Sequence, residues 1–233
     1  MCIRDSGNGM VDLSGNGNTL TAIGVPTVDS FFISGDKDNG YKSSVPDGYQ
    51  RTLVAIWRNH STTDAYAYPV GNLAQSSSSQ GIGLGLKSNS SSSSNLSRIS
   101  GNAGGNSTSG NLLAIADGPT DTYANRLNFR WAAFTIDGAG NAANLFVPAM
   151  SSALIPATLA SGANLGTREI TEGGLSSMYR LIAFRNPAIP GSLPGSAIDV
   201  AEVLIFDRAL DLAALQRTYQ RSKQYMALYG QTI

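Results

Sequence analysis

The sequence has one cysteine, one histidine and only three glutamates in 233 residues. A single cysteine excludes a disulfide framework and a thiolate cluster, and the shortage of Cys and His together excludes a zinc site. Sixteen basic residues balance sixteen acidic ones, so there is no electrostatic footprint for nucleic acid or for an anionic membrane surface. No apolar run approaches the ~18 residues that a transmembrane helix needs. The glutamates are Glu169, Glu172 and Glu202, and none lies in an E-x-D-x-E strand, where acid and nucleophile flank one glycosidic bond. Glu169 and Glu172 stand three apart in a segment that reads as a loop. His60 lies in a polar Asn-His-Ser-Thr run that reads as solvated loop. A Ser-His-Asp site built with Asp64 would lack the G-x-S-x-G elbow that presents a serine. We expect no catalytic residues.

What is present is a chain rich in Ser, Asn, Gly and Thr, of a length that suits one all-β sandwich, a class running to about 200–250 residues as one domain. Its strongest local signal is the end, 198–233. Ala201 to Phe206 suits a pleated, half-buried surface, and Asp207 to Asp211 breaks that strand. From Leu212 the apolar residues Leu212, Leu215, Tyr219, Met226 and Tyr229 recur at helical steps. Arg217, Gln220, Arg221 and Gln224 fall on the opposite, solvated side. Asp211 can cap the helix start and Gly230 can supply its left-handed stop, so the helix is expected over about 211–229.

Before that end the chain reads as short strands with turn punctuation. Phe31-Phe32-Ile33 leads into the Gly35–Gly40 turn. Tyr49 to Arg58 has Leu53, Ala55 and Trp57 on one face and Val54 and Ile56 on the other, the pattern of a central strand covered on both sides. Tyr66 to Val70 contains Pro69 and reads as an edge or loop. Gly81 to Leu86 alternates glycine with aliphatics, and because no helix follows, it reads as a strand with one bare face and not as a nucleotide loop. Ser76–Ser79, Ser88–Asn95 and Asn102–Gly110 read as solvated loops. Leu112–Ala116, Arg126–Ile136, Thr158–Gly166 and Tyr179–Phe184 supply further strands, and Gly138–Asn141 is a hairpin turn into Asn144–Val147.

Several of these stretches carry a resemblance. Val200 to Leu210 and Tyr225 to Gly230 are similar to the closing segment of concanavalin A-like, laminin G-like jelly-roll domains, which typically reads I-A-E-V-x-I-[FY]-[DN]-R-A-L and then ends near Y-[LM]-A-x-x-[WY]-G. Asp12 to Asn18 resembles that family's D-x-S-G-N-G-N loop, and the Trp57 and Trp131 strands resemble its two core strands. The chain departs at Phe146-Val147-Pro148-Ala149, where the family usually has Y-V-N-G, which puts the next hairpin in question. The resemblance implies an antiparallel β-sandwich of jelly-roll topology with one C-terminal α-helix. It also implies that both tryptophans and Glu202 serve the core. Many relatives hold a structural calcium, and Asp12, Asn16 and Asn18 offer the oxygens a hard cation takes. The alternative is a turn whose glycines supply positive φ, with no cofactor required. The same two readings apply to Asp36, Asp38 and Asn39.

Met1 to Ser6 resembles the translated adapter remnant found at the edges of assembled environmental reads. Residues 1–6 are therefore expected to be a non-native leader to a single domain over 7–233, and their removal should leave stability unchanged. The expected function is a non-catalytic carbohydrate-recognition or adhesion module of a larger exported protein, extracellular or on a cell or virion surface, with a glycan as its partner. The rivals are a structural decoration domain of a phage tail or adhesin, and a diverged glycoside hydrolase or lyase. Candidate ligand-binding residues are the loop aromatics Tyr66, Tyr68 and Tyr123, with Arg98 and Arg126 as planar polar partners.

Overall fold

Alternation along one strand sets the architecture. In Gln50–Asn59 the side chains of Leu53, Ala55 and Trp57 enter the core between two sheets, while Val54 and Ile56 enter a second apolar layer beneath the helix. The structure, a computed structural model, describes residues 1–4, 12–60, 66–73, 83–91, 96–105, 112–168, 170, 178–182 and 197–233. In chain order its strands begin with Cys2–Arg4 (β1), Leu20–Ile23 (β2), Thr27–Val28 (β3), Ile33–Gly35 (β4), Gly40–Ser43 (β5) and Gln50–Asn59 (β6). Tyr66–Gly71 (β7), Gly83–Ser91 (β8), Leu96–Gly104 (β9), Leu112–Asp117 (β10) and Asp121–Thr122 (β11) precede a 3-10 turn over Tyr123–Leu127. Arg130–Asp137 (β12), Ala142–Phe146 (β13), Ile155–Pro156 (β14), Thr158–Leu159 (β15), Arg180–Leu181 (β16) and Ile198–Phe206 (β17) follow, and the helix Leu212–Ala227 (α1) comes last.

Among the described residues every strand pairing is antiparallel. The first sheet runs β14-β13-β12-β6-β17-β4-β3, with β1 on the remaining edge of β17. The second runs β15-β10-β9-β8-β7-β16-β5-β2, with β11 added to β9. Leu84, Leu86 and Ile99 of the second sheet meet Phe134, Ile136, Val203 and Ile205 of the first. Gly101 makes room for this contact: a Cβ there would lie 2.0 Å from Phe134 Cδ2. The fold is thus the all-β sandwich with one C-terminal helix that the sequence implies.

Strand β17 contains a bulge. Val200 pairs with Trp57 but Glu202 pairs with Ile56, so Ala201 is the extra residue. Strict alternation would aim Glu202 into the inter-sheet core with Ile198 and Val200. The bulge turns it instead toward α1, where it accepts the Ser222 hydroxyl, whose oxygen accepts Trp131 Nε1–H at 3.1 Å. A buried carboxylate is tolerable only with such donors.

Helix α1 is bounded as its sequence implies. Asp211 accepts Ala214 N–H at 2.7 Å. Gly230, at φ 69°, closes the helix with Gly230 N–H to Ala227 and Gln231 N–H to Met226, the paired bonds of a Schellman stop. Leu215 and Met226 are buried, as read, while Leu212, Tyr219 and Tyr229 are half-buried; the periodicity misses Tyr225 and Ser222, which are also buried.

Other differences have local causes. Strand β7 is no edge: it pairs with β8 and β16, and Pro69 is accommodated by a register shift between Ala67 and Val70. Ser88 to Ser91 and Asn102 to Gly104 are strand, not loop, because ladder bonds are made by backbone and Ser88 finds Asn59 at 3.3 Å. Only Thr158–Leu159 of the Thr158–Gly166 stretch is strand; Gly162, at φ 73°, turns the chain away. From Tyr179–Phe184, Arg180–Leu181 is strand and 183–184 lie outside the described residues. The hairpin after Phe146 forms despite Pro148, since β14 pairs with β13.

Whatever the origin of its first residues, the start of the chain is not inert here. Met1 is buried, exchanges hydrogen bonds with Ile205, and leads into β1 against Glu202 to Leu204. Deleting residues 1–4 is expected to lower stability by more than the ~0.5 kcal/mol of an ordinary surface change. In a chain of this size that is a drop in Tm of more than about 1 °C. An unchanged melting curve would mean that the segment is dispensable.

Candidate functional site

The site is built by alternation in the second sheet. Leu84, Leu86, Ile99, Ala103, Ala114 and Ala116 face the core, so Lys87, Ser100, Asn102 and Asp117, which alternate with them, face outward. Register places Lys87 opposite Ser100 and Ser100 opposite Asp117, which makes one polar row across three strands, with Arg98 a pleat along. Arg98 Nη1 donates to Asp117 Oδ2 at 2.9 Å, and Ser100 Oγ donates to Asp117 Oδ1 at 2.5 Å. Oriented to satisfy both its groups, the Asn102 amide accepts from Lys87 Nζ at 2.8 Å and donates to the Gly101 carbonyl at 3.0 Å. Burial lowers the Lys87 pKa, and the Asp117 charge works against that shift. The row therefore has a buried end, Lys87 with Asn102, and an accessible end, where the Arg98 and Asp117 side chains are 43% and 42% exposed. At the accessible end a guanidinium and a carboxylate side by side can donate to and accept from neighbouring hydroxyls of a sugar ring.

The sequence candidates are scattered. Arg98 lies in the row. Tyr68 is not on a loop rim: it is buried in β7, where it packs with Leu73 and half-buried Leu112 apart from the main core. Arg126 is also no rim residue. It is fully buried in the 3-10 turn, close enough to Arg130 to matter: burial first, then the Arg126 charge, lowers the Arg130 pKa to about 10 against the opposing pull of Asp121. Tyr66 and Tyr123 belong to β7 and to that turn, and their side chains lie outside the described residues, as do Glu169, Glu172 and Asp64.

The Asp12 loop folds as a turn. Gly15 and Gly17 adopt φ of 75° and 69°. Asp12 Oδ1 accepts the Cys2 and Ser14 amides, and Oδ2 accepts Ser14 Oγ at 2.7 Å and Asn18 Nδ2 at 2.6 Å. Burial alone would raise this carboxyl's pKa, but the four donors hold it well below the usual range. A calcium ion would have to displace those donors, so the loop as folded does not fit one. Asp36 is likewise engaged by the Asp38 and Asn39 amides and Asn39 Nδ2. Among the described residues no three His, Cys, Asp or Glu gather as a metal site. Asn16 and Asn18 instead line a cleft of about 460 Å³ with Arg51, Asp207 and Arg221.

Two clusters were not legible in the sequence. Asp47 and Arg168 form a buried ion pair at 2.9 and 2.6 Å that also takes the Tyr179 hydroxyl at 2.7 Å. Asp199 accepts Ser34 Oγ and His60 Nε2, each at 2.5 Å, on Oδ1, and Arg58 Nε at 2.7 Å on Oδ2. His60 is therefore anchored, not a free loop residue. Burial works to raise the Asp199 pKa, yet the hydrogen bonds from Ser34, His60 and Arg58 leave it lowered. Ser34 donates to the carboxylate and not to His60, so the histidine is not placed to take the serine's proton. The available signal was a charge inside an apolar strand, Ile198-Asp199-Val200, which demands partners.

No family model matches the sequence, and no curated protein matches it. Solved structures do. A botulinum neurotoxin serotype D binding domain superposes with a TM-score of 0.60 at 9% identity, over 94% of this chain and 51% of that one. A botulinum neurotoxin DC binding domain in complex with SialylT gives 0.58 at 12%, over 94% and 50%. A DC binding domain in complex with rat synaptotagmin II gives 0.57 at 13%, over 95% and 51%. The chain spans about half the length of each. At such identities the likeness shows the sandwich fold, and the laminin G-like family itself is not matched.

Proposed function

We propose that the protein is a non-catalytic recognition module for carbohydrate, borne by a larger exported protein and acting at a cell or virion surface. The observation that carries this reading is the polar row on the outer face of the second sheet, in which Arg98 and Asp117 stand accessible and prearranged by each other and by Ser100. Prearranged donors and acceptors limit the ordering cost of binding a flexible polar ligand. The structural neighbours, binding domains of toxins, support a binding role over a catalytic one. Also in support, the glutamate that lies among the described residues, Glu202, is committed to Ser222 beneath α1.

A glycan array read alongside thermal shift tests the proposal. Binding is expected with Kd of order micromolar to millimolar, about 4–8 kcal/mol, and without release of reducing sugar on long incubation. Arg98→Ala should weaken binding at least about tenfold, a loss of ~1.4 kcal/mol, with Tm unchanged. Trp57→Ala and Trp131→Ala should instead destabilise the fold, since both rings are buried. Silence across the array from folded protein would favour a purely structural module, and turnover of a bound glycan would favour a hydrolase or lyase.

A further inference from the structure

The Asp199 cluster lies on the outer face of the first sheet, away from the polar row, and the reading above makes no use of it. Asp199 is almost wholly buried, with 3% of its side chain exposed, and both its oxygens are taken: Oδ1 by Ser34 and His60, Oδ2 by Arg58 Nε. It thereby fixes the planes of a guanidinium and an imidazole that are themselves 35% and 44% exposed. The guanidinium lies over the Phe129 and Phe32 rings, with their centroids 4.7 and 5.3 Å from Arg58 Cζ. Among the described residues, Arg58 Nη1 and Nη2 and His60 Nδ1 make no hydrogen bond.

We propose that Arg58 and His60 form a site for an acidic sugar, in which the Arg58 guanidinium takes the sugar's carboxylate and His60 Nδ1, its Nε2–H engaged by Asp199, accepts from a sugar hydroxyl. A guanidinium with Nε engaged and its outer edge open presents two parallel N–H donors at carboxylate spacing. Burying Asp199 is unfavourable on its own, and its effect is to hold that edge rigid toward solvent. Arg58 and Asp199 cancel in charge, so the fork offers donors without excess charge, which suits a monoanion better than a phosphate dianion. Half-buried Phe32, its ring centroid 5.3 Å from Arg58 Cζ, offers apolar surface next to the guanidinium for the sugar's carbon face.

His60 is the only histidine, so its ring resonances report on the site without ambiguity. The intact chain is titrated at fixed ionic strength with sodium glucuronate, glucose, sodium acetate or glucose 6-phosphate, and the imidazole 1H–15N signals are followed. Glucuronate is expected to shift them saturably at millimolar concentration; glucose is not, and acetate and glucose 6-phosphate are expected to bind more weakly. Arg58→Lys, which keeps the charge but loses the fork, should weaken glucuronate at least about tenfold. The wild-type titration alone is decisive: no saturable shift overturns the proposal, and so does acetate or glucose 6-phosphate binding as tightly as glucuronate. Undiminished binding in folded Arg58→Lys overturns it as well. Arg98→Ala should leave the His60 shift intact, so failure here and failure of the carbohydrate site around Arg98 are seen separately.

Discussion

Arg168→Met is expected to cost about 3–5 kcal/mol, because it leaves Asp47 as a buried carboxylate without its cation. Neither side chain has measurable access to solvent beyond 1%, and the fork is made from both ends: two guanidinium nitrogens on the two Asp47 oxygens, and one of them also on the Gly48 carbonyl at 2.6 Å. Tyr179 donates to the same carboxylate, and its own pKa is driven well upward, by burial first and then by the Asp47 charge. The double variant Asp47→Asn, Arg168→Met should lose less than Arg168→Met alone, since no unpaired charge then remains inside. Urea unfolding measures both through Cm at constant m. A single-variant loss below about 1 kcal/mol would mean that water reaches Asp47 in the variant or that the pair is more exposed than it stands here.

The second large effect concerns the helix. Leu215→Ala is expected to cost about 2–5 kcal/mol, because Leu215 is fully buried in the layer that holds Val54, Ile56, Trp131 and Met226. Arg217→Ala, two residues on and exposed, should stay within about 0.5 kcal/mol. The contrast tests the helical face and not helicity, since arginine and leucine differ little in propensity. Equal losses would place α1 in another rotation about its axis. Trp131 adds a polar tie to this layer through Ser222, so a Ser222→Ala variant keeps the packing volume nearly intact while it removes a hydrogen-bond partner of both Trp131 Nε1 and Glu202.

What the sequence determined by itself is whatever depends on near neighbours along the chain. Period-two alternation marked Leu53, Ala55 and Trp57 against Val54 and Ile56, and the sandwich places them in two separate apolar layers. Helical spacing, Asp211 and Gly230 fixed the run and both ends of α1, and the paired glycines of the Asp12 loop announced its turn. Tertiary structure decided the rest, because those features turn on partners far apart in sequence. The bulge at Ala201 inverts the alternation of β17 halfway along and sends Glu202 toward Ser222, and no local period contains it. Pro69 marks its stretch as an edge or loop, yet a register shift lets β7 lie inside a sheet. Arg98 meets Asp117 only because β9 and β10 pair in one register, and Tyr68 and Arg126 were drawn under the surface by packing that composition does not encode. Asp47 finds Arg168 across 121 positions and His60 finds Asp199 across 139. Buried charges reveal themselves in a sequence as anomalies in apolar strands, but which cation answers each one is settled only when the sheets close.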